Sequence, residues 1–188
     1  MFENIEYLKK GNDKQRKSYD ILNEIEIFEV LKKYDPILVG TIPIGIDVAK
    51  SDLDIVCYSK NLVEIEKIII EKYSDYKKFS INREKILENI LVINFFQRDV
   101  EIEIYISNIP SKKTNGYRHM TVENRFLKLS NEKLKENIIS LKKSGIKTEP
   151  AFARLLNILG NPYEKLLEFE NCEDKEIEKL LEKIGYKK

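Results

Sequence analysis

Two aspartates, Asp52 and Asp54, stand where a buried strand begins, with Leu53, Ile55 and Val56 between and after them. In a strand, residues i and i+2 share a face, so the two carboxylates project together while Leu53 and Ile55 face the opposite side. Adjacent anions repel and resist desolvation, and a bound divalent cation is the usual way to hold both ionised. A turn leading into the strand, with Ser51 and Asp52 as ordinary turn residues, accounts for the same letters. The glycines upstream shift the balance toward a site. Gly40-Thr41 follows the strand-like run 36–39, and glycine permits the tight backbone that lets a phosphate approach amide groups closely. Thr41 reads as the N-cap of a short helix over 42–46, with Pro43 in its first turn.

Gly40-Thr41, Gly45 and Ser51-Asp52-Leu53-Asp54-Ile55 together resemble the signature of the polymerase-β-like nucleotidyltransferase superfamily, a Gly-Ser or Gly-Thr pair followed at a set distance by Asp-x-Asp. Tyr117-Arg118-His119-Met120 with Glu123, the string 147–153 (KTEPAFA) and Gly160-Asn161-Pro162-Tyr163 are similar to a bacterial family of unknown function within that superfamily. The resemblance implies an α+β fold, a nucleotidyltransferase-like mixed β-sheet with packed helices, followed by a helical C-terminal part. It implies nucleotidyl transfer from a nucleoside triphosphate (NTP) to an acceptor, with Mg2+ or Mn2+ held by Asp52, Asp54 and a third carboxylate on a neighbouring strand. Glu101 and Glu103 both have the right face for that third group, and the register of the narrower family favours Glu103. Most superfamily members carry aspartate there, one methylene shorter. Gly40 and Thr41 would receive phosphates, with Lys50, Ser51 and Arg118 as secondary phosphate contacts. The acceptor, whether small molecule, protein or RNA, is not readable, nor is the base of the NTP. A non-enzymatic nucleotide- or protein-binding member of the same fold is the alternative.

The composition adds bounds to this reading. The chain of 188 residues suits one domain with a core to about residue 110 and a helical extension over about 111–188. Lys plus Arg is 33 against 32 for Asp plus Glu, so a nucleic-acid substrate needs a local basic patch. The two cysteines, Cys57 and Cys172, make neither a disulfide framework nor a zinc pattern. No run approaches the roughly 18 apolar residues of a membrane span, and the expectation is a soluble, cytoplasmic protein.

The remaining chain reads as a series of elements. A helical turn over 5–10 precedes a helix capped by Asp13 and running to about residue 34, with Leu22, Ile25 and Phe28 on one face. Asn61 caps a helix over 62–73 with Ile65, Ile68, Ile69 and Tyr73 inward. Strands follow around Phe79 and Ile81, over 90–96, and over 100–106, where Val100, Ile102, Ile104 and Ile106 alternate with Glu101, Glu103 and Tyr105. From the residues alone that last segment reads as an edge strand with a solvated acidic face. Helices are expected over 114–129, over 131–143, from Thr148 or Glu149 as cap to 159, over 162–169, and to Gly185. On the first of these His119, the only histidine, stands four residues from Glu123, as a structural residue or as half of a hydrogen-bonded pair.

Overall fold

The alternation of apolar residues in three segments of the chain, Leu53–Tyr58, Ile90–Gln97 and Val100–Ser107, builds one buried sheet face. In a computed structural model, which describes residues 2–188, a 3-10 turn (Glu6–Lys10) is followed by helices α1 (Asp13–Glu24) and α2 (Ile27–Val30), then strands β1 (Ile37–Val39) and β2 (Leu53–Tyr58). Helix α3 (Leu62–Tyr73) and strands β3 (Lys77–Asn82), β4 (Ile90–Gln97) and β5 (Val100–Ser107) complete the α+β part, and helices α4 (Asn115–Leu129), α5 (Glu132–Lys143), α6 (Thr148–Leu155), α7 (Pro162–Leu167) and α8 (Asp174–Lys183) follow. Among the described residues no helix is long and apolar enough to cross a membrane.

The chain divides into two compact units, residues 2–45 with 51–117, and residues 46–50 with 118–188. The first holds a five-stranded sheet of order β1-β2-β5-β4-β3. It is mixed: β2 and β5 run parallel, and the other neighbours are antiparallel. The β4–β5 hairpin turns through Arg98 and Asp99, both at positive φ, as a two-residue type I′ turn requires. Leu53, Ile55 and Cys57 of β2, Ile102, Ile104 and Ile106 of β5, and Leu91, Ile93 and Phe95 of β4 form one buried face, packed against Ile21 and Leu22 of α1 and Ile65, Ile69 and Tyr73 of α3. Strand parity turns Asp54, Glu101, Glu103 and Asn94 to the other face.

Four local expectations need correction. The first long helix stops at Glu24, because Glu26 takes a left-handed conformation (φ 53°) and the chain restarts as α2 and a 3-10 turn over Lys32–Tyr34. Its cap is Asn12, in a reciprocal capping box with Gln15, and not Asp13. No helix follows Thr41: residues 41–45 are consecutive turns, closed by the Gly45 N–H donating to the Ile42 carbonyl at 3.1 Å, with Gly45 at φ 69°. Strand β5 is no edge; it lies between β2 and β4, which explains the full burial of its apolar residues.

In the second unit Phe126, Leu134, Ile138, Phe152, Leu166, Ile177 and Leu181 are buried. The Arg125 guanidinium donates to the carbonyls of Phe169 (2.8 Å) and Cys172 (2.6 Å) and to the Asp174 carboxylate, tying α4 to the segment that opens α8. Helix α6 ends at Leu155 rather than near 159, since Asn157 has positive φ. Lys147 precedes its first turn and makes no side-chain cap, so neither Thr148 nor Glu149 serves as the cap.

Candidate functional site

Gly40 directly follows β1 at φ +82°, a conformation that L side chains rarely adopt. A Cβ added there would overlap Oδ2 of Asp54, so the same glycine gives the turn its backbone and makes room for a carboxylate. Thr41 Oγ1 lies 3.1 Å from Ser51 Oγ, joining the turn after β1 to the residues leading into β2. Asp52 immediately precedes the strand and is half-buried; Asp54 is its second residue, also half-buried, in register with Val39 of β1. Lys50 is exposed.

Across the parallel β2–β5 pair the register sets Asp54 directly beside Glu103. In the antiparallel β4–β5 pair it sets Asn94 on the other side of Glu103, and Phe96 beside Glu101. Asn94, Glu103, Asp54 and Val39 thus form one row across four strands, on the face away from the core. The Asn94 amide donates to Glu101 Oε1 at 3.2 Å and Glu103 Oε2 at 3.4 Å, bridging the two glutamates. Burial pushes the Glu103 carboxyl above the ordinary range, the Asn94 hydrogen bond opposes this, and the charges of Asp52 and Glu101 add to the rise. Asn94 had a visible signal, since it is the polar interruption of an otherwise apolar strand, Ile90–Gln97. Its pairing with Glu103 on the neighbouring strand follows from the register of the β4–β5 hairpin.

An oxygen-only donor set of Asp52, Asp54 and Glu103 fits a hard divalent cation such as magnesium or manganese. Such a cation would offset both the burial that chiefly raises Glu103 and the charges of Asp52 and Glu101 that add to it. Arg118 is differently engaged: its Nε and Nη2 donate to the Glu170 carboxylate at 3.0 and 2.7 Å, a forked ion pair within the second unit.

Among the described residues, the group of three His, Cys, Asp or Glu side chains whose ligand atoms all lie within 4.8 Å of one another is His119, Glu123 and Glu149. His119 and Glu123 are buried on α4 and Glu149 is half-buried in the first turn of α6. Burial drives the Glu123 carboxyl up to about 8, with Glu149 adding to the rise and Lys142 opposing it. Burial also lowers His119, against the charge of Glu149. The His119–Glu123 spacing was legible in the sequence; the arrival of Glu149 was not, because its place at a helix start suggested a local role.

The fold is shared with solved nucleotidyltransferases. Cid1, described by its RNA terminal uridylyl transferase activity, matches 82% of this chain and 52% of its own at 11% identity, with a TM-score of 0.59. A cytoplasmic RNA terminal U-transferase matches 82% of this chain and 46% of its own at 13% identity, with a TM-score of 0.52. A chain of the GLD-2/RNP-8 complex matches 92% and 66% at 18% identity, with a TM-score of 0.53. The protein therefore spans about half to two thirds of the length of these structures. No curated protein matches the chain. The model of the domain of unknown function DUF4269 matches residues 20–169, and the chain belongs to that family.

Proposed function

We propose that the protein is a nucleotidyltransferase that moves a nucleoside monophosphate from an NTP to an acceptor hydroxyl. The observation that carries this reading is the pairing of Asp54 with Glu103 across parallel strands, beside a glycine turn shaped around the Asp54 carboxylate. The acceptor oxygen attacks the α-phosphorus, the bond to the β-phosphate oxygen breaks, and pyrophosphate leaves. Asp52, Asp54 and Glu103 would hold a divalent cation, magnesium or manganese, which would supply charge neutralisation for the attacking and leaving oxygens. Glu103 completes the cation's ligand set and, through its remaining carboxylate oxygen, helps deprotonate the acceptor. Asn94 holds Glu103 in place through the amide bridge. The backbone at Gly40 and the hydroxyls of Thr41 and Ser51 receive phosphate oxygens, and Lys50, two residues before Asp52, adds a positive charge. A phosphate contact by Arg118 would have to compete with Glu170. An RNA 3′ end is the first acceptor to test, because two of the solved structures described above are RNA terminal uridylyl transferases; a small molecule or a protein side chain follows.

The test is thermal unfolding with each of the four ribonucleoside triphosphates, with and without magnesium, on wild type and Asp54→Asn, followed by transfer from the α-labelled nucleotide that binds. A ligand at 100 times its Kd stabilises by about 2.7 kcal/mol. A magnesium-dependent shift with one nucleotide, lost in Asp54→Asn, is expected together with labelled product. Nucleotide binding without transfer to any acceptor class would favour the non-enzymatic nucleotide-binding alternative, and no binding at millimolar concentration would overturn the transferase reading in favour of the protein-binding one.

A further inference from the structure

We propose that His119, Glu123 and Glu149 form a second metal site, for a divalent transition-metal ion of the zinc type, independent of the nucleotide site described above. The three side chains come from two helices of one compact unit, and one ligand atom of each lies within 4.8 Å of the other two. His119 and Glu123, four residues apart on α4, rise from the same helix face. Glu149 approaches from the first turn of α6. Ligand atoms around a tetrahedral zinc, each about 2.0–2.2 Å from the metal, are about 3.4 Å apart, so closure from the observed spacing asks only for small side-chain rotations.

An independent feature points to a ligand there. His119 is only 7% exposed, and its Nδ1 is fully buried with no hydrogen-bond partner. A buried polar atom left without a partner is costly, and an imidazole nitrogen is the preferred ligand of borderline-soft divalent metals. Glu123, at 3% exposure, places a carboxylate beside that ring. Two carboxylates offset the charge of one divalent ion, so the loaded site is neutral. The half-buried position of Glu149 leaves one side open for a water as fourth ligand. A nitrogen ligand in the set distinguishes this cluster from the oxygen-only group on the sheet, which suits magnesium.

The sole histidine makes the test direct, because any imidazole signal in the protein belongs to His119. Full-length 15N-labelled protein, stripped with a chelator, is titrated with zinc chloride while the two ring nitrogens are followed by NMR. The titration is repeated on Asp52→Asn/Asp54→Asn, Glu149→Gln and Cys172→Ser. The expected result is a ring-nitrogen shift that saturates at one equivalent in wild type, the double aspartate variant and Cys172→Ser, and an affinity at least tenfold weaker in Glu149→Gln with an unchanged circular dichroism spectrum. A ring that does not respond to zinc, or a response that Glu149→Gln leaves intact or Cys172→Ser removes, overturns the site. Because the double aspartate variant disables the nucleotide site, loss of nucleotide binding and loss of zinc binding are read separately.

Discussion

Gly40 and Asp54 are matched to each other: the first residue after β1 has no side chain, and the Asp54 carboxylate takes the space a Cβ would need. Gly40→Ala must strain a backbone at φ +82° and also displace the carboxylate, whereas Gly145 has a similar φ of +94° with nothing within 4 Å of an added Cβ. Gly145→Ala is expected to cost about 1–2 kcal/mol, the backbone penalty alone. Gly40→Ala is expected to cost more and to abolish nucleotide binding. Urea unfolding of both variants decides it; equal costs would mean that the approach to Asp54 carries no energy.

Glu103 trades stability for its position. Burial beside the charges of Asp52 and Glu101 disfavours its ionised form, so Glu103→Gln is expected to raise the metal-free protein's Tm while removing nucleotidyl transfer. A gain of about 1 kcal/mol corresponds to about 2–4 °C for a chain of this size. A lowered Tm in metal-free buffer would show that the Asn94 bridge needs the carboxylate more than the repulsion harms it.

The Arg118–Glu170 pair sets an acid limb. Hydrogen bonding from Arg118 lowers the Glu170 carboxyl below its ordinary 4.5, burial opposes this, and the charges of Arg118 and His119 assist. As pH falls below about 4.5 the unfolded chain therefore takes up the proton first, and this contribution is lost as pH falls through the folded value; above that window it is fully present. Glu170→Gln should lower stability by about 1 kcal/mol at pH 7 and by less at pH 3. Denaturant melts at pH 7, 5, 4 and 3 test this, and a difference that does not shrink with acid would contradict it.

Phe95 anchors the core between two tyrosines, stacked on Tyr73 at 4.9 Å and edge-on to Tyr76 at 5.2 Å. Phe95→Ala is expected to cost about 3–5 kcal/mol through lost burial and the cavity left behind. Asn94→Ala, one residue away on the opposite face, should instead act mainly on transfer, by releasing Glu103. Chemical unfolding and labelled-product assays on the two variants separate the faces; a large stability loss in Asn94→Ala would break that separation.

The sequence alone determined what local physics governs. The parity of Asp52, Leu53, Asp54 and Ile55 already put carboxylates and core on opposite faces of β2, and the Asn61 cap, with its side chain accepting the Glu64 N–H, marks the start of α3 where the pattern predicts it. Period and cap chemistry are written within a few neighbouring residues, so they can be read one segment at a time. The same local reading failed where one residue's backbone departed from it, as at Glu26, and where burial depended on neighbours, as for β5. Only the tertiary structure decided that β5 lies parallel to β2, that Glu103 rather than Glu101 is in register with Asp54, that Asn94 bridges the two glutamates, and that Glu149 joins His119 and Glu123. The β2–β5 pairing and the approach of Glu149 join segments far apart in the chain, the Asn94 bridge joins the two arms of one hairpin, and in each the register follows from how neighbouring elements close on one another, a property no single segment contains.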